Sequence, residues 1–154
     1  MEIKRVETDK KRYLDLLLLA DEQEDMVDRY LERGTMYVLE DGGVKAECVV
    51  TDEGDGILEL KNIAVAPDFQ GRGYGKAMVA FLVQTYTEQH TVLQVGTGDS
   101  SSTIPFYESC GFRRHHLVKK FFTDHYDHPI WEEGVQLVDM IYLRQPLCRE
   151  NSEK

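Results

Sequence analysis

Three glycines in five positions, Gly71, Gly73 and Gly75 in "NIAVAPDFQGRGYGKAMVAFL" (residues 62–82), form a stretch that no regular element explains. Glycine inside a helix or strand costs roughly 0.5–1 kcal/mol relative to alanine, so its repeated use means that bare backbone is needed. The residues before the glycines, "LELKNIAVA", read as a strand, and Met78, Phe81, Leu82 and Tyr86 after them recur at helical spacing. Where a helix begins, its first amides lack internal partners and its dipole adds positive partial charge. A glycine-rich junction of this kind suits an anion that the backbone approaches closely, and phosphate is the natural ligand.

Motif spacing narrows the kind of phosphate ligand. A P-loop requires a first glycine where Gln70 stands and a Ser or Thr where Ala77 follows Gly75-Lys76. A dinucleotide fingerprint requires GxGxxG after a first strand, whereas here the order is GxGxG, deep in the chain.

"QGRGYG" resembles the acyl-CoA signature Q/R-x-x-G-x-G/A of the GNAT family of N-acetyltransferases. "LELKNIAVAPDF" is similar to that family's central strand and turn, and "FYESCGF" (106–112) to its tyrosine-bearing helix. The resemblance implies an α/β fold with a mixed, mostly antiparallel central sheet, flanked by helices and splayed after the central strand. It implies acetyl-CoA as cosubstrate, with Ile63, Ala64 and Val65 pairing with the pantetheine arm. The pyrophosphate would lie against the amides of Gln70, Gly71, Arg72, Gly73, Tyr74, Gly75 and Lys76, with Arg72 either adding charge or remaining a solvated loop residue.

Acetyl transfer from a thioester to a primary amine needs a neutral amine, support for the developing oxyanion and a proton for the leaving thiolate. An alkylammonium ionises near pH 10, so a carboxylate acting directly or through water is useful as a base. Glu59, eleven residues before Gln70, matches the place where some relatives carry a catalytic glutamate; the alternative is a strand residue paired with Lys61. Tyr107 matches the family tyrosine whose hydroxyl lies near the sulfur, and a phenol can protonate a thiolate; otherwise Tyr107 belongs to the core. The resemblance places the oxyanion donor at a central-strand amide near Ala64 or Val65. Where relatives commonly carry Asn, seven residues before that tyrosine, this chain has Ser100 within "GDSSS". Its serines and Thr103 either replace the contact or cap the helix.

These groups need elements to position them. A strand near Ile3–Val6 and two early helices precede a hairpin, "TMYVLE" and "VKAECVV" around Asp41-Gly42-Gly43, and a second turn "DEGDG" leads into the central strand. Gly34 is placed as the C-cap of the second helix. After the helix from Tyr74 come the strand "TVLQV", a short helix near Thr103–Cys110 and strands near 117–122 and 137–143. Residues 121–134, "FFTDHYDHPIWEEG", read as the loop that walls the acceptor: Tyr126, Trp131, Asp124, Asp127, Glu132 and Glu133 suit a cationic or partly apolar amine, although exposed aromatics also suit a dimer contact.

The chain's 154 residues carry a net charge of −10 with 42% hydrophobic and 30% charged residues, which excludes disorder and argues against nucleic acid. We read residues 1–147 as one domain and 148–154 as a tail. No membrane span or signal segment is apparent, and three cysteines without metal spacing (Cys48, Cys110, Cys148) suit a reduced, cytoplasmic protein. His115 and His116 point to opposite faces of a strand, so no metal is expected. The acceptor is an amine-bearing small molecule or a protein amine, and a homodimer is a family-level expectation. The rival reading is a catalytically weak acyl-CoA-binding or sensing module.

Overall fold

The computed structural model describes residues 1–100 and 102–147, so the expected tail 148–154 and Cys148 lie outside the described residues. Alternating apolar residues build an antiparallel meander of β1 (Glu2–Val6), β2 (Thr35–Glu40), β3 (Val44–Asp52) and β4 (Ile57–Val65). Gly42 and Gly43 turn the β2–β3 hairpin at φ of 68° and 117°, a region that L side chains rarely adopt. Two short helices, α1 (Leu14–Ala20) and α2 (Glu24–Asp28), join β1 to β2, and α3 (Tyr74–Thr85) carries the chain from β4 to a parallel neighbour, β5 (Val92–Thr97).

Then follow α4 (Thr103–Ser109), β6 (Arg113–Val118), α5 (Phe121–His125), a small hairpin of β7 (Trp131–Glu132) and β8 (Val135–Gln136), and β9 (Met140–Pro146). Seven strands form one sheet in the order β1-β2-β3-β4-β5-β9-β6, in which β4–β5 is the parallel pair, as the mixed, mostly antiparallel expectation required.

Helices cover both faces. Met78, Val79 and Leu82 of α3 pack on Ala46, Cys48, Val50, Leu58 and Leu60, while Leu17 and Val27 pack on Met36, Val38 and Val49 from the other side. Each fully buried leucine or valine here contributes about 1.5–3 kcal/mol. Covering both faces of β3 also buries Glu47 completely, with neither carboxylate oxygen hydrogen-bonded, and burial pushes its carboxyl well above the ordinary value.

One irregularity matters for everything that follows. Val49 lies opposite Asn62, but Val50 lies opposite Leu60, so Lys61 is an extra residue on β4. Before this bulge Leu58 and Leu60 face α3; after it Ile63 and Val65 do, while Asn62 turns toward α1. The β4–β5 ladder also ends here, at Leu60 opposite Val95, and beyond it the two strands part.

Several expected boundaries shift. The strand expected at 117–122 runs instead over Arg113–Val118, because Lys120 takes φ 58° and its amide bonds Asp139 Oδ1 at 2.8 Å, starting α5. The strand expected at 137–143 begins at Met140 and reaches Pro146. The expected loop 121–134 contains α5 and enters the β7–β8 hairpin, turned by Glu133 and Gly134 at φ 53° and 78°. Gly34 is no left-handed cap: it is needed because a Cβ there would meet the Tyr30 carbonyl at 2.8 Å. A register shift between Arg114 and His116 breaks the alternation of β6, so the rings of His115 and His116 touch, Nδ1 to Nδ1, at 2.7 Å instead of facing apart.

Candidate active site

The parting of β4 from β5 leaves a row of backbone groups without a strand partner. The Ala66 amide bonds the Lys45 carbonyl at 2.8 Å on the β3 side. By strand alternation the polar groups of Val65 and Ile63 therefore face the gap. The Gln70 side chain confirms the direction, donating to the Val65 carbonyl at 3.1 Å. Around this edge lies a cleft of about 600 Å³ lined by Ile63, Ala64, Val65, the glycine loop and the helix bearing Tyr107.

The loop is shaped by its glycines. Gly71 and Gly73 sit at φ 80° and 88°, and Gly75 lets α3 approach Phe106, which a Cβ would meet at 3.0 Å. The Ala77 amide closes the first helical hydrogen bond onto the Gly73 carbonyl at 3.0 Å, so the amides of Tyr74, Gly75 and Lys76 have no carbonyl one turn earlier. Tyr74 ties this end of α3 to the β2–β3 turn through its hydroxyl, 2.7 Å from Asp41 Oδ2. Gln70, Gly71, Gly73, Tyr74, Gly75 and Lys76 all line the cleft; Arg72 does not, and instead stacks its guanidinium over Phe69 at 5.2 Å.

Tyr107 stands at the inner end, between Phe106 and Phe112 at ring distances of 5.3 and 5.7 Å. Burial pushes its hydroxyl above the ordinary phenol value, and the nearby Glu132 carboxylate adds to this, so it stays protonated at neutral pH. It also borders a second cavity of about 440 Å³, which opens between β4 and β5 and is walled by Asp21, Lys61, Tyr126, Trp131 and Glu132.

Glu59 lies elsewhere. It faces a third cavity, shared with Arg29, Arg33 and Tyr142, and does not border the cavities that Tyr107 lines. Its carboxylate is engaged on both oxygens, by Gln94 Nε2 at 2.7 Å and Lys61 Nζ at 2.9 Å. Arg144 Nε extends the row by donating to Gln94 Oε1 at 2.7 Å, and these residues lie directly opposite one another on β4, β5 and β9.

The family description "Acetyltransferase (GNAT) domain" matches residues 32–114, more than half of the chain. The uncharacterized N-acetyltransferase YvbK of Bacillus subtilis (strain 168) is 39% identical over 140 residues, covering 89% of this chain and 90% of that protein. The chain belongs to the GNAT family. It is an acetyltransferase.

Among solved structures, a GNAT family acetyltransferase from Elizabethkingia anophelis with acetyl-CoA bound is 34% identical with a TM-score of 0.89, covering 95% of this chain and 97% of that one. A Bacillus subtilis acetyltransferase in complex with CoA is 36% identical with a TM-score of 0.87, covering 94% and 97%.

Within this GNAT domain, Ser100 is buried just ahead of α4, whose N-cap is Ser102: its Oγ accepts from the amides of Ser102 and Thr103 at 3.2 and 3.4 Å. Ser102 and Thr103 line the cleft; Ser101 lies outside the described residues. Of the acidic and aromatic residues expected around the acceptor, Tyr126, Trp131 and Glu132 line the second cavity, and Asp124, Asp127 and Glu133 do not. Sequence reasoning missed Asp21 and Lys61 there. Asp21 ends α1, accepts from the hydroxyls of Tyr30 and Tyr126 at 3.1 and 2.8 Å, and is raised above the ordinary carboxylate range by its burial. Nothing local in "LLLLADEQED" distinguishes it from a helix-ending aspartate. Among the described residues no group of three or more His, Cys, Asp and Glu has the arrangement of a metal site.

Proposed function

We propose that this protein binds acetyl-CoA in the cleft and, in the cytoplasm, transfers its acetyl group directly to a primary amine seated in the second cavity. The observation that carries this reading is the junction at Tyr107, where an unpaired strand edge, an anion-suited glycine loop and a separate cavity converge. The bound thioester supplies an activated acetyl group. The edge of Ile63 and Val65 pairs with the pantetheine arm as an added strand, and the amides from Gly71 to Lys76 receive the pyrophosphate. A Val65 or Ile63 amide facing the gap donates to the acetyl oxygen as it gains charge. Tyr107 then hands its hydroxyl proton to the departing sulfur.

Glu59 enters at one remove. It neutralises Lys61 at the wall of the acceptor cavity and holds that ammonium group away from the incoming amine. The alternative of a catalytically weak acyl-CoA sensor predicts binding without turnover. Calorimetry with CoA, followed by thiol release from acetyl-CoA across a panel of primary amines, separates the two: an enzyme releases thiol with at least one amine, a sensor with none.

A further inference from the structure

The β7–β8 hairpin places Glu132 at the border of the acceptor cavity. In "WEEGVQ" the turn falls at Glu133-Gly134, both at positive φ, and Glu132 pairs with Val135 beside it. Side chains alternate along so short a hairpin. Trp131 is 61% exposed, while the Glu132 Oε1 is buried and has no hydrogen-bond partner. The Ser100 hydroxyl donates to Glu133 at 3.3 Å, so the two adjacent glutamates are directed differently.

A carboxylate that lacks a donor at a cavity wall is an open position for a cationic hydrogen-bond donor. Glu132 borders the acceptor cavity together with Tyr107, and its charge is felt at the Tyr107 hydroxyl. Across that cavity lie Lys61, already paired with Glu59, and Asp21, already held by two tyrosines. On its outer side Glu132 borders Asp99, Glu108 and Arg114. Among the carboxylates of the cavity, Glu132 combines a place beside Tyr107 with a carboxylate that no side chain among the described residues engages.

We infer that Glu132 is a catalytic residue: it receives the ammonium group of the acceptor and takes its first proton. The inference rests on the acetyl-transfer reading. The ammonium proton passes to the Glu132 carboxylate and from there to solvent. The amine lone pair forms the C–N bond, the C–S bond breaks, and the second nitrogen proton balances the one that Tyr107 gives to the thiolate. One proton is released per acetyl group transferred. The substrate class is a compact primary alkylamine that enters as a monocation.

The test uses n-butylamine, acetyl-CoA and the full chain, with Glu132→Gln and, as neighbour control, Glu133→Gln. Calorimetry on CoA-loaded protein at pH 7 should show n-butylammonium binding weakened about tenfold or more by E132Q and unchanged by E133Q. Thiol release should fall at least about 100-fold in E132Q at pH 7, and the deficit should shrink as pH approaches the amine's pKa near 10. Equal amine affinity in E132Q and wild type, or a rate deficit independent of pH, overturns the assignment. If wild type binds butylammonium in a Glu132-dependent way yet releases no thiol, the transfer reading fails and Glu132 falls back to a cation-binding residue. Glu132→Asp, which keeps the charge, guards against misfolding: it should recover part of the affinity, and failure to do so in a folded variant also counts against the inference.

Discussion

The cleft and the acceptor cavity meet at Tyr107, yet they are built from different material. The cleft is drawn chiefly from one segment, the strand edge of Ile63–Val65 and the glycine loop with its free amides, and is completed by the end of α1 and by α4. The cavity is mostly side chain, gathered from the end of α1, β4, β5, α4, α5 and the β7–β8 hairpin. Backbone amides read phosphate and amide groups without regard to side-chain identity. A wall of Asp21, Lys61, Tyr126 and Glu132 reads charge and shape. On the proposed reading, the cofactor half of the reaction rests on backbone and the acceptor half on side chains, so one can be altered without the other.

The largest effect should come from attacking the main-chain half. Gly73→Asp places a carboxylate where the pyrophosphate is proposed to lie and forces φ 88° on a residue with a Cβ, although that Cβ meets no atom within 4 Å. CoA affinity should fall about 10³-fold, roughly 4 kcal/mol, while the folded state survives. Calorimetry that finds wild-type affinity in a folded variant breaks the assignment of the loop.

At the boundary, Tyr107→Phe removes the proposed proton donor and keeps the ring packed between Phe106 and Phe112. Turnover should fall by about 10²-fold, with CoA affinity unchanged. Similar rates for both proteins would return Tyr107 to the core.

Within the side-chain half, Glu59→Gln leaves Lys61 only the more distant Glu53 Oε2, at 4.0 Å, as an anionic partner at the cavity wall. We expect a higher KM for a cationic amine and a rate loss below the roughly 100-fold floor of direct general-base catalysis. A larger loss in steady-state kinetics would make Glu59 the direct base.

Glu47→Gln should leave catalysis unchanged and alter only stability. Burial raises the folded-state pKa of Glu47, so the folded protein holds a proton that the unfolded chain releases above about pH 4.3. The sign follows: stability is greatest below that pH and declines as pH rises toward the folded value, by at most about 1.4 kcal/mol per unit. Urea denaturation at pH 5 and pH 7 should show this decline in wild type and a smaller one in E47Q. Equal slopes would mean that Glu47 finds a partner after all.

What was legible in the sequence follows the same division. The glycine loop announces itself because close approach and positive φ demand one residue type at fixed spacing, and β4 and α3 show through their periods. Tyr107 was found by resemblance to a family pattern, not by any local physics. The bulge at Lys61 left no mark, since "LELKNIAVA" alternates acceptably in either phase. Glu132 was visible merely as one of several acids, because a two-residue strand is too short to show a period. Asp21 and Tyr126 lie 105 positions apart and meet through a single hydrogen bond. The adjacency of His115 and His116 was misread for the opposite reason: alternation was assumed where a register shift suspends it.

The row Glu59–Gln94–Arg144 sits just before the point where β4 and β5 divide. It works like the rivet of a pair of tongs, clamping three strands on one side so that the jaws stand apart on the other. The width of the slot is then set when the chain folds and does not wait for an arriving ligand. On the proposed reading, an arm that pairs like a strand finds its berth already open.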